Sequence, residues 1–219
     1  MNDFQIAFIE LALDRGALRF GRFTLKSGRE SPYFFNAGLF SDGAAMATLG
    51  RCYADALVRS HLPFDMLFGP AYKGIPLATA TAVAFAEHHG RSVPYAFDRK
   101  EAKDHGERGA LVGAPVSGRV IIVDDVISDG AAKREAIALI RSAGAEPAGV
   151  LLALDRQERG ATERSAVQEL EARYGLLCVS LITLDDLIEG LARLPESRPR
   201  ISAEQLTSLR SYRERYGAR

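Results

Sequence analysis

The chain has 219 residues, 47% of them hydrophobic, which is ample for a packed core and argues against disorder. Lys plus Arg equals Asp plus Glu at 28 each, so no overall field draws it to nucleic acid or to an anionic membrane, and any polyanion site must be local. Cys52 and Cys178 are far apart and lack metal-ligand spacing, which argues against a disulfide framework or a zinc site and suits a reducing cytoplasm. The amino terminus carries Asp3 and Glu10 among its apolar residues, unlike a signal peptide, and the uncharged run Gly74 to Ala86 is too short to span a bilayer.

In chain order, Asp3 is a candidate cap for a first helix carrying Phe4, Phe8, Leu11 and Ala12 on one face, with Gly16 placed to end it. Leu18 to Asn36 reads as extended. Asp42 opens a helix running to about Arg59, with Met46, Leu49, Tyr53, Ala56 and Leu57 at helical spacing. The chain then alternates: strand Met66 to Phe68, helix Gly74 to Glu87, strand Val93 to Phe97, strand Val120 to Val123, helix Ala131 to Ser142, strand Gly149 to Leu154. That alternation predicts an α/β fold, an open and mainly parallel sheet flanked by helices. Ser165 with Gln168 and Ser202 with Gln205 have capping-box spacing, Thr183 caps a helix between them, and Leu176 to Leu181 is a further strand. No boundary splits the sheet, so one domain over 1–219 is the economical expectation; the first 40 residues, and the last 40, could form a small cap over it.

Open parallel sheets bind ligands outside the carboxyl ends of their strands, and three loops there are chemically loaded. In Gly69-Pro70-Ala71-Tyr72-Lys73-Gly74, a lysine lies between glycines at a strand-to-helix turn, where backbone amides and an ammonium can hold a pyrophosphate. The segment 98–113 is long, glycine-punctuated and charged, with Arg99, Lys100, Lys103 and Arg108 against Glu101, Asp104 and Glu107, and His105 among them; it has the composition of a mobile lid. In the third, VIIVDDVISDGAA from Val120, a buried strand ends in Asp124 and Asp125, just before a helix start. Acceptors for hydroxyls and donors for phosphate occur together, although the acidic pair alone also suits a solvated loop that caps the next helix. Neither a Walker-type loop nor a dinucleotide fingerprint is present. His88 and His89, before Gly90, read as a solvated helix end rather than a metal site.

Taken together, LKSG around Lys26, SPYFFN at 31–36, GPAYKGIPLA from Gly69, FDRKEAKDHGE from Phe97, VDDVIS from Val123 and LDRQERG from Leu154 resemble the bacterial orotate phosphoribosyltransferases, a type I phosphoribosyltransferase family. The resemblance implies that fold, with phosphoribosyl pyrophosphate (PRPP) and orotate as substrates and Mg2+ held mainly through substrate and water, with no direct protein ligand. It places Asp124 and Asp125 at the ribose hydroxyls and wraps Val126, Ile127, Ser128, Asp129, Gly130, Ala131 and Ala132 around the 5′-phosphate. Lys26, Tyr72, Lys73, Arg99, Lys100, Lys103 and His105 would meet PRPP, with Lys73, Lys103 and His105 as catalytic candidates. Lys26, Phe34, Phe35, Ser128 and Arg156 would form the orotate pocket, where an aromatic surface stacks on a flat ring and a guanidinium pairs with its carboxylate. A cytoplasmic homodimer with its lid shared across subunits is also implied. Two readings stand beside it: a family member for another base, and a non-catalytic regulator that senses PRPP.

The phosphate loop departs from the usual family pattern DDVITAGTA. Here it reads DDVISDGAA. Ala131 lacks the usual threonine hydroxyl, a loss of about 1.5–3 kcal/mol if unreplaced. The Asp129 carboxylate, at ~6 Å from a phosphate charge, would cost roughly 1–3 kcal/mol per unit charge. Lys133 and Arg134 are the candidate compensating charges.

Overall fold

The computed structural model describes all residues except 26, 104–108, 128, 129, 161, 195–200 and 219, together with the backbone but not the side chains of 101–103 and 109. Helix α1 spans Asp3–Asp14, and Asn2 rather than Asp3 takes its N-cap position, with the Gln5 side chain accepting from the Asn2 N–H at 2.9 Å. Asparagine caps well, and Asp3 in the first turn complements the helix dipole. The extended segment that follows is a hairpin, β1 (Leu18–Thr24) antiparallel to β2 (Glu30–Phe35). Helix α2 (Gly43–Ser60) begins as expected at Asp42, whose carboxylate accepts from the Ala45 N–H at 2.8 Å.

Strand β3 (Met66–Gly69), helix α3 (Gly74–His89), strands β4 (Tyr95–Lys103), β5 (Gly109–Gly113) and β6 (Arg119–Asp124), helix α4 (Ala131–Ser142) and strand β7 (Glu146–Asp155) follow. Helix α5 (Ala166–Tyr174), strand β8 (Leu177–Thr183) and helices α6 (Leu184–Arg193) and α7 (Ala203–Tyr216) complete the chain, with capping boxes at Ser165, Thr183 and Ser202. The six-stranded sheet has the order β5-β4-β3-β6-β7-β8 and is parallel except for β5, so the mainly parallel, helix-flanked sheet is met. One boundary moves substantially. Where the charged segment was expected to be loop from Asp98 onward, β4 continues to Lys103 and pairs back on β5. Charge marks a sheet edge as readily as a loop, because edge side chains stay solvated.

Alternation along β6 builds two cores: Ile121 and Val123 face one layer with α1, α2, α3, α6 and α7, whereas Val120 and Ile122 face the other with α4 and α5. The β1–β2 hairpin stays outside the main sheet and packs on α7, where Tyr33 and Tyr212 meet edge to face at 6.1 Å between ring centres. Helices α2 and α3 cross closely: a Cβ on Gly50 would lie 2.5 Å from the Ala80 carbonyl oxygen. Gly50→Ala therefore gains up to about 1 kcal/mol in helix propensity but forces the helices apart at about 1–3 kcal/mol, and the clash wins. Urea unfolding should give a lower midpoint; a raised midpoint would show that the crossing relaxes freely. Both cysteines are free thiols, and burial pushes each up to about 12.

Candidate active site

Because β3, β6 and β7 are parallel, their carboxyl ends lie along one edge of the sheet and deliver three loops together. After β6, Asp124 and Asp125 are both buried. Their geometry is tightly fixed: the Asp125 N–H donates to Asp124 Oδ1 at 2.9 Å, the Val126 N–H to Asp125 Oδ1 at 2.8 Å, and the Tyr53 hydroxyl to the Asp124 carbonyl at 2.9 Å. Each carboxylate also meets an ammonium. Lys73 Nζ lies 2.7 Å from Asp125 Oδ2, joining the loop after β3 to the loop after β6. Lys133 Nζ lies 2.5 Å from Asp124 Oδ2 and 2.6 Å from the Val126 carbonyl oxygen. Burial raises the Asp124 carboxyl above its ordinary value, and the Lys133 ammonium opposes that shift.

The loop after β3 is anchored from below. Asp98 on β4 is buried and accepts from the Ala71 N–H at 2.6 Å, and the Ala71–Tyr72 peptide is cis. A Cβ on Gly74 would meet Pro70 Cδ at 2.5 Å and the Val123 carbonyl oxygen at 2.7 Å, so glycine is what lets this turn lie against β6. Tyr72 projects outward, 72% exposed. The next segment, Val126 to Ala132, leads into α4, with Gly130 left-handed at φ +72° immediately before Ala131 and Ala132 open the helix; Ile127 is buried beneath it.

After β7, Arg156 turns toward the hairpin. Its Nε and Nη2 reach Glu158 Oε1 at 2.8 and 2.6 Å, Nη2 reaches Ser31 Oγ at 3.3 Å, and the guanidinium lies 4.3 Å from the Tyr33 ring centre. Phe34 and Phe35, expected to share a pocket, point to opposite sides of β2. Phe35 packs on Phe8 and Phe40 at 6.0 and 6.2 Å between ring centres, whereas Phe34 stacks on Phe23 at 5.5 Å. Lys100 Nζ reaches Glu135 of α4 at 3.3 Å, which brings β4 to the phosphate-loop helix, and Arg99 lies beside it in the same strand. Lys26, His105, Ser128 and Asp129 lie outside the described residues, as does the side chain of Lys103.

Lys133, one of the two candidate compensating charges, is buried against Asp124 and Val126, its ammonium held by that carboxylate and that carbonyl oxygen. Arg134 does lie near the loop, its Nη1 3.2 Å from where a Gly130 Cβ would be. Tyr53, Asp98 and Glu158 were not singled out from sequence, since their partners are distant in the chain or invisible without the fold. For Lys133 a signal existed: a lysine in the first turn of a helix opposes the helix dipole.

A helix-flanked parallel sheet with an acidic pair at a strand end, a lysine-bearing turn beside it and a glycine-led helix start defines a phosphoribosyltransferase, and the family model for the phosphoribosyl transferase domain matches residues 42–173. Orotate phosphoribosyltransferase from Thioalkalivibrio sulfidiphilus is 59% identical over 217 residues, 99% of this chain and 100% of the relative, and that from Klebsiella pneumoniae is 60% identical over the same shares. The crystal structure of the Francisella tularensis orotate phosphoribosyltransferase superposes with a TM-score of 0.85 at 39% identity, covering 96% of this chain and 98% of the other. The Mycobacterium tuberculosis enzyme in complex with PRPP superposes at 0.62 with 27% identity, covering 84% and 98%. The chain belongs to the orotate phosphoribosyltransferase family, pentosyltransferases of pyrimidine biosynthesis.

Proposed function

We propose that this chain transfers the phosphoribosyl group of PRPP to a ring nitrogen of orotate, giving orotidine 5′-monophosphate and pyrophosphate. The observation that carries the residue assignment is the acidic pair fixed at the end of β6, with both carboxylates bonded to ammonium groups at the start of α4 and in the loop after β3. Asp124 and Asp125 accept from the ribose hydroxyls. Backbone N–H groups from Val126 to Ala132, with the Ser128 hydroxyl, hold the 5′-phosphate at the helix start. Tyr72, Lys73 and Lys26 meet the pyrophosphate, and Arg99, Lys100, Lys103 and His105 close over it from the β4–β5 arm. Orotate stacks against an aromatic face of the hairpin and pairs its carboxylate with Arg156.

The nucleophile is the substrate's own nitrogen, so the protein's tasks are orientation and neutralisation of charge on the departing pyrophosphate through an oxocarbenium-like transition state. Asp124 and Asp125 each meet an ammonium, so both carboxylates are already engaged within the site. With both carboxylates so engaged, Mg2+ would be held mainly by substrate and water and would supply positive charge to the leaving group. Exposed Pro76 and Val83, two turns apart on one face of α3, support a homodimer through this face, with the arm of one subunit reaching its partner's site. No helix among the described residues is long and apolar enough to cross a membrane, and two free thiols suit the cytoplasm.

With orotate, PRPP and Mg2+, the purified protein should consume orotate, read as loss of its absorbance; chelating the metal should stop turnover and added Mg2+ restore it. PRPP binding without turnover of any base would identify a sensing regulator instead. Turnover of a different base would identify another phosphoribosyltransferase.

A further inference from the structure

Lys133 is out of place on two counts. It lies in the first turn of α4, where the helix dipole favours acidic side chains, and it is only 4% exposed, which strips its ammonium of water. Two acceptors hold it there, the Asp124 carboxylate and the Val126 carbonyl, so one ammonium ties the end of β6, the start of the phosphate loop and the first turn of α4 together. With Asp125 N–H on Oδ1 and Lys133 on Oδ2, both oxygens of Asp124 have a fixed donor.

The charges also matter. Two uncompensated carboxylates beside the site of a polyanion would repel it, yet each is neutralised in place, Asp125 by Lys73 and Asp124 by Lys133. Lys73 sits in the pyrophosphate-side loop and its side chain is half exposed. Lys133 belongs to the ribose-phosphate side alone. This chain's phosphate loop lacks a hydroxyl at Ala131 and carries a carboxylate in its sequence at Asp129, so cancelling the charge of Asp124 beneath the loop spares the phosphate a second carboxylate.

We propose that Lys133 is a positioning residue for the ribose 5-phosphate half of the substrate, setting the Asp124 carboxylate for the ribose hydroxyls and cancelling its charge beneath the phosphate loop. This rests on the assignment of Asp124 to the ribose site. The role acts through Asp124 and Val126, and Lys133 need not touch the substrate.

The test compares wild type with Lys133→Met, which keeps the length and apolar stem but removes the charge. Steady-state kinetics with Mg2+ should show the PRPP KM raised by at least about tenfold, the loss expected for a charged hydrogen bond, with the orotate KM within about twofold. Calorimetric titration should show ribose 5-phosphate weakened to match and pyrophosphate binding unchanged. Adding Ala131→Thr to Lys133→Met should recover part of the ribose 5-phosphate affinity. Should Lys133→Met fail to fold with Asp124 left buried and unpaired, Lys133→Gln leaves Asp124 a donor without the charge, and the same selective loss of ribose 5-phosphate over pyrophosphate is expected. Unchanged PRPP KM, or equal weakening of both ligands, overturns the proposal. Absence of turnover in the wild type would overturn the orotate assignment instead, and the ribose 5-phosphate titrations would still decide the role of Lys133.

Discussion

Replacing Lys103 with alanine should lower kcat by about 10²–10³-fold, the usual loss when one preorganised donor to developing charge is removed. The orotate KM should stay within about threefold, because the role proposed for the lysine is toward charge that appears as pyrophosphate leaves and not toward the bound base. The fold gives this arm a reason to act at a distance. Asp98, which anchors the Ala71 N–H of the pyrophosphate loop, lies on the same strand as Lys103, whose backbone pairs with Gly109. Five extended residues carry Lys103 roughly 16 Å beyond Asp98, more than a side chain needs to reach its own subunit's loop. The proposed lid shared with a second subunit would use that length. Mixing Lys103→Ala with Asp125→Asn should then restore up to about a quarter of wild-type activity, since random exchange makes half of the dimers mixed and each mixed dimer holds one intact site. No recovery after verified subunit exchange would place the lid in its own site, and equal losses in kcat and orotate affinity would remove its transition-state role.

What was legible in the sequence is what depends on neighbours in the chain. The branched run Val120 to Val123 reads as a doubly buried strand, and Gly130 stands just before the helix formers that open α4 at Ala131. Ser165, Thr183 and Ser202 announced their helices because a capping box is closed within four residues. The antiparallel return of β5 was hidden, since the residues that make a solvated edge strand are those that make a charged loop. The site divides the same way. Its backbone frame, the acidic pair at a strand end beside a helix start, follows from local pattern. Its supports do not: Asp98 meets Ala71 across 27 residues and Tyr53 meets Asp124 across 71, contacts fixed only when the strands are ordered into a sheet. Phe34 and Phe35 illustrate the limit, for adjacent strand residues cannot share a face, and one of them was bound to join the core.

Arg156→Ala should raise the orotate KM by about 10–150-fold, the equivalent of the 1.5–3 kcal/mol that a charged hydrogen bond supplies, with the PRPP KM little changed. Glu158 accepts from Arg156 at 2.6 Å and from Arg29 at 3.4 Å, so two guanidiniums share one carboxylate, an arrangement that suits the proposed pairing with the orotate carboxylate. Glu158 also holds the Arg156 fork against Ser31 and over Tyr33, which keeps the guanidinium ordered before substrate arrives. Two companion variants separate charge from geometry. Arg156→Lys keeps the charge but not the planar fork, and should recover only part of the lost affinity. Glu158→Gln raises the local charge, and should bind orotate more tightly if attraction dominates or more weakly if the ordering of Arg156 dominates. The partly buried contact of Glu158 with both arginines favours ordering, so a raised KM is expected there too. Steady-state kinetics with orotate and with uracil, which lacks the carboxylate, provides the check: if Arg156→Ala leaves the preference for orotate over uracil intact, the carboxylate is recognised elsewhere.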